Sequence, residues 1–257
     1  MTMHVTTDTA ALFHWPHATL VQITDCHLLA QPDAWYQGIQ PYRHLQRLLV
    51  SIRAQAPLLI LTGDLTEDHS AASYALLQQL LADWPAPVFL LPGNHDERAA
   101  LLQLSQQPPF QLERRLALPG WQLWLLDSKG DTPAGSFPAP RLAELEQWFV
   151  QSEQQQIFWF CHHHLLPIGS FIDRFDQQDK TGLLSMLQRE PRLRGLAHGH
   201  CHHAYQMRLP TFVQVGCPAS SVQFLQTADW QTVDDGPQAC RWTFSADGQL
   251  QWEFLQC

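Results

Sequence analysis

The feature that most constrains this chain is a set of apolar runs, each stopping at a residue type that binds metal. Leu58-Leu59-Ile60-Leu61-Thr62 is an uninterrupted run of strand length that ends in Gly63-Asp64. Four other segments end in the same manner. Residues 19–24 lead into Asp25-Cys26-His27, and residues 88–91 into Pro92-Gly93-Asn94-His95-Asp96. Residues 157–161 deliver His162-His163-His164, and residues 195–197 precede His198-Gly199-His200-Cys201-His202. Short continuous apolar runs read as strands buried on both faces. In open α/β sheets, polar residues at the C-terminal ends of such strands are where sites are built.

Helical patterns lie between the runs. Leu45, Leu48, Leu49 and Ile52 recur at helical spacing after Pro41, a residue suited to a first turn, and Pro57 closes the segment. Asp68 or Ser70 caps a second helix over 71–81. Further helices are expected over 97–104, 141–150 and 180–187, and a strand over 121–126. The Gly- and Pro-rich stretch 128–140 reads as a loop long enough to form part of a site rim. Segments 205–209, 211–215, 240–244 and 250–254 are short and alternating, the pattern of antiparallel strands. The expectation is one α/β domain over 1–257, with two packed β-sheets and helices outside. Residues 1–18 would be a lead-in and 205–257 mostly antiparallel strands of the second sheet.

Composition excludes some partners. The formal net charge is −9, with no basic cluster, which argues against a nucleic-acid backbone as ligand. A small phosphate ester is still admissible, because bound cations supply positive charge locally. The six cysteines show no CxxC spacing, and residues 1–16 lack the features of a secretory leader. No run reaches the ~18 apolar residues of a membrane span. The expectation is a cytoplasmic protein with reduced thiols and no membrane partner. Nothing in the sequence marks its oligomeric state.

Asp25, His27, Asp64, Asn94, His95, His162, His200 and His202 make a mixed imidazole, carboxylate and amide set. Divalent Zn, Mn and Fe accept such donors. Two such ions about 3.5–4 Å apart polarise a phosphoryl oxygen and generate a nucleophilic hydroxide at neutral pH. A carboxylate such as Asp64 suits a bridge between two cations. A lone His at a strand end is more often a satisfied core or surface histidine, and Gly-Asp is a common turn. The weight rests on five tips occurring together. In extended chain Asp25 and His27 share a face and Cys26 turns away. By the same spacing His162 and His164 are equivalent. His14, His17, His44 and His69 read as solvated, and His198 and His203 as flanking or surface residues. Trp35, Tyr36, Phe171 and Asp173 lie in loops, where they contact a base or pack locally.

The series Asp25-x-His27, Gly63-Asp64, Gly93-Asn94-His95-Asp96, His162 and Gly199-His200-x-His202 resembles the signature of the calcineurin-like metallophosphoesterases. The flanking text, including Cys217-Pro218-Ala219-Ser220-Ser221-Val222-Gln223-Phe224, is similar to the bacterial class III 3′,5′-cyclic-nucleotide phosphodiesterases, over about residues 19–224. The resemblance implies a four-layer α/β/β/α sandwich with two Fe, Mn or Zn ions. Asp25, His27 and His202 would hold one ion, Asn94, His162 and His200 the other, and Asp64 both. His95 would face the phosphate as charge stabiliser or general acid, oriented by Asp96. His27, Asp64, Asn94, His95 and His202 would contact substrate, with His163 either joining them or packing. The implied reaction is hydrolysis of 3′,5′-cyclic AMP to 5′-AMP by a metal-bridging hydroxide. The alternatives are a broader phosphodiesterase acting on glycerophosphodiesters, 2′,3′-cyclic nucleotides or nucleotide-sugars, and a catalytically silent binding module.

Overall fold

In the computed structural model, residues 12–55, 57–152 and 155–257 are described. Most of the expected lead-in, residues 1–11, lies outside them. The first half contains strands β1 (Leu12–His14), β2 (Thr19–Ile23), β3 (Leu58–Thr62), β4 (Val88–Leu91) and β5 (Phe110–Gln111). Helices α1 (Pro41–Ile52), α2 (Ala71–Leu81) and α3 (Arg98–Leu104) connect them. Next come β6 (Arg115–Leu118), β7 (Trp121–Leu125), α4 (Ala139–Gln151), β8 (Gln156–Phe160), α5 (Thr181–Arg189) and β9 (Leu193–His198). The chain ends with β10 (Tyr205–Arg208), β11 (Val213–Gly216), β12 (Gln223–Phe224), β13 (Thr232–Val233), β14 (Gln238–Phe244) and β15 (Leu250–Gln256).

Two large sheets result. One has the order β15-β14-β2-β3-β4-β5 and the other β1-β6-β7-β8-β9-β11-β10. Strands β2 to β5 are mutually parallel, as are β7, β8, β9 and β11. The strands that carry the polar tips therefore run the same way within each sheet.

Strand alternation sorts the apolar runs into layers. Along β3, Leu58 and Ile60 face the second sheet, where they meet Leu123, Phe158 and Phe160, in a layer that also holds Trp242 of the first sheet. Leu59 and Leu61 face outward onto Leu45, Leu48 and Leu49 of α1 and Leu77 and Leu81 of α2. The outer face of the second sheet, through Trp124, Ile157 and Trp159, packs on Leu145 and Trp148 of α4 and Leu183 and Met186 of α5. These are the four layers, helix on sheet on sheet on helix.

The C-terminal strands depart from expectation. They do not all join the second sheet. β10 and β11 complete that sheet, with β11 parallel to β9, whereas β14 and β15 cross to the first sheet and pair beside β2. The reason is an edge. A parallel series that starts at β2 leaves one side of that strand unpaired, and its buried backbone needs partners. β14 supplies them in the register Trp242 to Leu20 and Cys240 to Gln22. His44 also differs: it belongs to the buried face of α1, with Nδ1 3.2 Å from the Ser221 carbonyl.

Trp242 pins this crossing. Its ring is fully buried between the sheets and its Nε1 donates to Gln22 Oε1 at 3.1 Å. Trp242→Ala is expected to lower stability by about 3–5 kcal/mol, the range for truncating a buried aromatic. Urea unfolding of the variant and the parent chain measures it, and a loss under about 1 kcal/mol would mean the inter-sheet layer does not rest on this ring.

Candidate dinuclear metal centre

The strand tips converge where the two sheets' parallel strands end. The backbone there is not extended. Asp25, His27, Asp64, His200 and His202 all adopt left-handed φ, from 47° to 64°. Asp and His tolerate this region better than most residues, yet each instance costs on the order of 1 kcal/mol or more. Asp25 and His27 do end on one side and Cys26 on the other, because of these turns and not because of strand alternation. The tips then dock on one another: Asp25 N donates to Gly63 O, His27 N to Asp64 O, and Leu28 N to Leu65 O.

Glycine makes the docking possible at Gly63, which has φ of 97°. A Cβ there would lie 2.5 Å from Gly93 N and 2.6 Å from His162 Nδ1. The first tip is locked by Asp25 itself, whose two carboxylate oxygens accept from the His200 amide at 3.1 and 3.0 Å.

Every imidazole but one in the predicted ligand set is oriented by its Nδ1. His27 Nδ1 meets Glu67 Oε2 at 2.7 Å, His162 Nδ1 the Thr62 carbonyl at 2.8 Å, and His202 Nδ1 the Val222 carbonyl at 2.7 Å. These partners accept from Nδ1, which turns the Nε2 of each ring toward the centre. His27 Nε2 and His202 Nε2 then stand 3.1 Å apart, with Asp25 Oδ1 3.3 Å from the latter. His162 Nε2 lies 3.3 Å from Asp64 Oδ2 and 3.2 Å from Asn94 Oδ1. The buried Nε2 of His200 has no hydrogen-bond partner.

The Nε2 lone pairs of His27 and His202 and the Asp25 oxygen repel at these distances unless a cation lies among them. Their spacing is about the edge of a coordination shell whose metal–nitrogen bonds are about 2.0–2.1 Å. The donors form overlapping groups: Asp25, His27 and His202; Asp25, Asp64 and His162; His162, His163 and His200; and His27, Glu67 and His95. The residues fit the donor set of a dinuclear centre, with Asp64 Oδ2 lying between His162 Nε2 at 3.3 Å and His27 Nε2 at 3.8 Å.

Electrostatics agree. Burial alone would raise the Asp64 pKa, but the imidazole of His162 outweighs it and holds Asp64 well below the carboxylate range. Burial opposes the charged form of His162 too, yet Asp64 prevails and lifts it to about 9. Burial holds His27 and His200 down as neutral bases.

Two predicted residues do other work. Asp96 does not orient His95. It is fully buried and accepts from Gly93 N at 2.9 Å, Leu65 N at 3.2 Å and Tyr74 Oη at 3.1 Å. It ties the Asp64 tip to the Asn94 tip, and burial together with the Asp64 charge pushes its pKa up to about 6. The carboxylate that faces His95 is Glu67, 3.4 Å from His95 Nδ1, and the same oxygen meets His27.

His163 does not reach the substrate side. Its ring is buried, with Nδ1 2.9 Å from Ser128 Oγ and Nε2 3.1 Å from the Pro133 carbonyl. Ser128 Oγ already accepts from the His162 and His163 amides, so its hydrogen goes to Nδ1 and no lone pair of the ring is left for a metal. His164 turns to Asp173, 3.0 Å away, so of the spacing-equivalent pair His162 is the one at the centre. Cys26 and Cys201 lie in apolar clusters, and the Cys161 thiol donates to the His163 carbonyl.

Sequence reasoning missed Glu67 and Lys129. Lys129, on the 128–140 loop, donates to the Asn94 carbonyl at 2.8 Å. The signal for Glu67 was its place three residues beyond Asp64 on a tip already known to face His27.

The description "Calcineurin-like phosphoesterase" fits residues 18–204, and the chain belongs to that family, whose members use a dinuclear metal centre. Among curated relatives, a probable cyclic nucleotide phosphodiesterase of Pseudoalteromonas sp. (strain SM9913) is 38% identical over 233 residues, covering 89% of this chain and 88% of the relative. The 3′,5′-cyclic adenosine monophosphate phosphodiesterase CpdA of Escherichia coli (strain K12) is 30% identical over 241 residues, 91% of this chain and 88% of that protein. A dimetal phosphatase from Danio rerio shares the fold, with a TM-score of 0.64 at 13% identity, covering 88% of this chain and 96% of that one.

A ligand that is protonated before metal arrives must lose its proton. His162 carries one at pH 7 in the metal-free chain, and that charge stabilises the fold fully below about 6.5, fading as pH rises through about 9. Metal loading at pH 7 is therefore expected to release about one proton from this site, falling toward none above pH 9. Calorimetry in buffers of different ionisation enthalpy reads the number. A release that does not change between pH 7 and 10 would contradict the His162–Asp64 assignment.

Proposed function

We propose that this chain hydrolyses 3′,5′-cyclic AMP to 5′-AMP. The observation that carries the reading is the convergence of imidazole Nε2 atoms from three strand tips around Asp25 and Asp64, in a chain whose relatives are named cyclic nucleotide phosphodiesterases. The chain is a hydrolase of phosphoric diesters, and the finer choice of substrate is the proposal. Asp25, His27 and His202 would hold one ion and Asn94, His162 and His200 the other, with Asp64 available to both. Bound there, two Mn, Fe or Zn ions supply Lewis acidity toward phosphoryl oxygens and a nucleophile from water at neutral pH.

The chain's own groups do the rest. The Nδ1 partners of His27, His162 and His202 hold the imidazoles in place without reorganisation. His95 is partly exposed, packs edge-on against His27 at 5.2 Å, and has its Nδ1 beside Glu67. Nε2 is then the nitrogen that reaches a bound diester, where it donates a proton to the departing 3′-oxygen. Glu67 positions this ring and His27 together. No side chain is needed as nucleophile, so no covalent phosphoenzyme forms.

Assay of the Mn-loaded chain against cyclic AMP, cyclic GMP, 2′,3′-cyclic AMP and glycerophosphodiesters tests the proposal. Cyclic AMP is expected to give the highest kcat/KM, and better turnover of an open diester would overturn it. His95→Ala is expected to retain both ions and lose about 10²–10⁴-fold in kcat, the usual worth of a general acid. Glu67→Gln is expected to lose less, since a neutral acceptor still faces both imidazoles. Full activity of His95→Ala would remove His95 from the mechanism.

A further inference from the structure

A centre that binds phosphate does not by itself read a base. Whatever selects a nucleotide must stand beside it. Four of the exposed large apolar side chains lie on three loops: Trp35 (68% exposed), Phe175 (37%), Leu225 (39%) and Trp230 (57%). These loops share one apolar cluster, built on Ile39, Ile168, Ile172 and Phe224 with Tyr36 and Phe171 against it. The cluster touches the centre directly. Tyr36 stacks on His27, centroids 4.8 Å apart and planes 9° apart, and Phe224 stacks on His202 at 3.9 Å and 4°. His27 and His202 are the two imidazoles of the same ion position, so the aromatic rim borders one side of the centre.

Trp230 is the outermost ring. It meets Phe224 edge-on at 6.3 Å and Phe171 at 6.5 Å. Its loop is braced rather than loose. β12 and β13 pair at its base, Leu225 N donates to Gln231 O at 3.0 Å, and Thr227 Oγ1 donates to Asp229 O at 2.7 Å. Phe171 N donates to Thr227 O at 2.9 Å, and Gln226 Nε2 donates to the Ile168 carbonyl. A more than half-exposed indole held in place on a short ribbon is a preformed flat surface.

We propose that Trp230, backed by Phe224 and Phe171, is the platform on which the purine base of the nucleotide stacks, with Tyr36 closing the rim beside His27. The inference rests on the cyclic-nucleotide reading and names its specificity determinant. A purine is flat and weakly polar. It gains affinity from an aromatic face whatever the sign of the surrounding charge, and loss of such a face costs roughly 5- to 150-fold in binding. The phosphate stays with the metals, so recognition divides into two separable parts.

The test is calorimetric titration of the Mn-loaded full chain with 5′-AMP and, separately, with inorganic phosphate. Trp230→Ala is expected to raise the Kd for 5′-AMP about tenfold and leave that for phosphate within about twofold, whereas Trp230→Phe keeps most of the affinity. An unchanged Kd for 5′-AMP in Trp230→Ala, or parallel loss of both ligands, overturns the platform. So does a wild-type chain that binds 5′-AMP no tighter than phosphate. Absence of cyclic AMP hydrolysis by the wild-type chain would instead overturn the reaction assigned above, and the two titrations would still decide the base platform.

Discussion

Everything at the centre depends on five residues held in left-handed backbone. Asp25, His27, Asp64, His200 and His202 would, in extended chain, follow their strands outward and diverge. The left-handed turn at each folds the tip back so that its side chain meets those of the neighbouring strand. Such backbone persists only where surroundings over-determine it. Here they do: parallel pairing of β2 with β3 continues past the strand ends as the hydrogen bonds from Asp25, His27 and Leu28 to Gly63, Asp64 and Leu65. Bound cations would offset the remaining cost by relieving the opposed lone pairs, so metal binding and folding are linked.

The sheets exist to fix the distance between these tips. Asp64 and Asn94 come from adjacent strands of one sheet, His162 and His200 from adjacent strands of the other, and the buried layer around Leu58, Phe158 and Trp242 sets the two edges against each other. Asp96 then fastens the turn after Asp64 to the turn before Asn94. Its raised pKa follows from being a buried carboxylate near Asp64, and its three donors are what allow it to stay there.

Much of this was legible in the sequence, because a strand buried on both faces cannot hide its composition. The runs at 58–61 and 88–91 and the helix at 71–81 are where periodicity places them. β5 and β6 were not legible: β5 is two residues long, and β6 begins at Arg115, buried by pairing with Gln122 and Gln151. The crossing of β14 to β2 was hidden because pairing over more than two hundred residues leaves no local mark. Choosing between His162 and His164 needed Asp173, and separating Asp96 from Glu67 as the partner of His95 needed the tip geometry. His44 was legible in principle, since it falls on the same helical face as Leu45 and Leu48.

The central claim is that Asp64 joins two cations. A crystal structure of the Mn-loaded chain, with anomalous difference maps, tests it most directly. The expected result is two peaks about 3.5–4 Å apart with one Asp64 oxygen at bonding distance from each, His27 and His202 on one and His162 and His200 on the other. A single peak, or two peaks of which Asp64 touches neither, would contradict it.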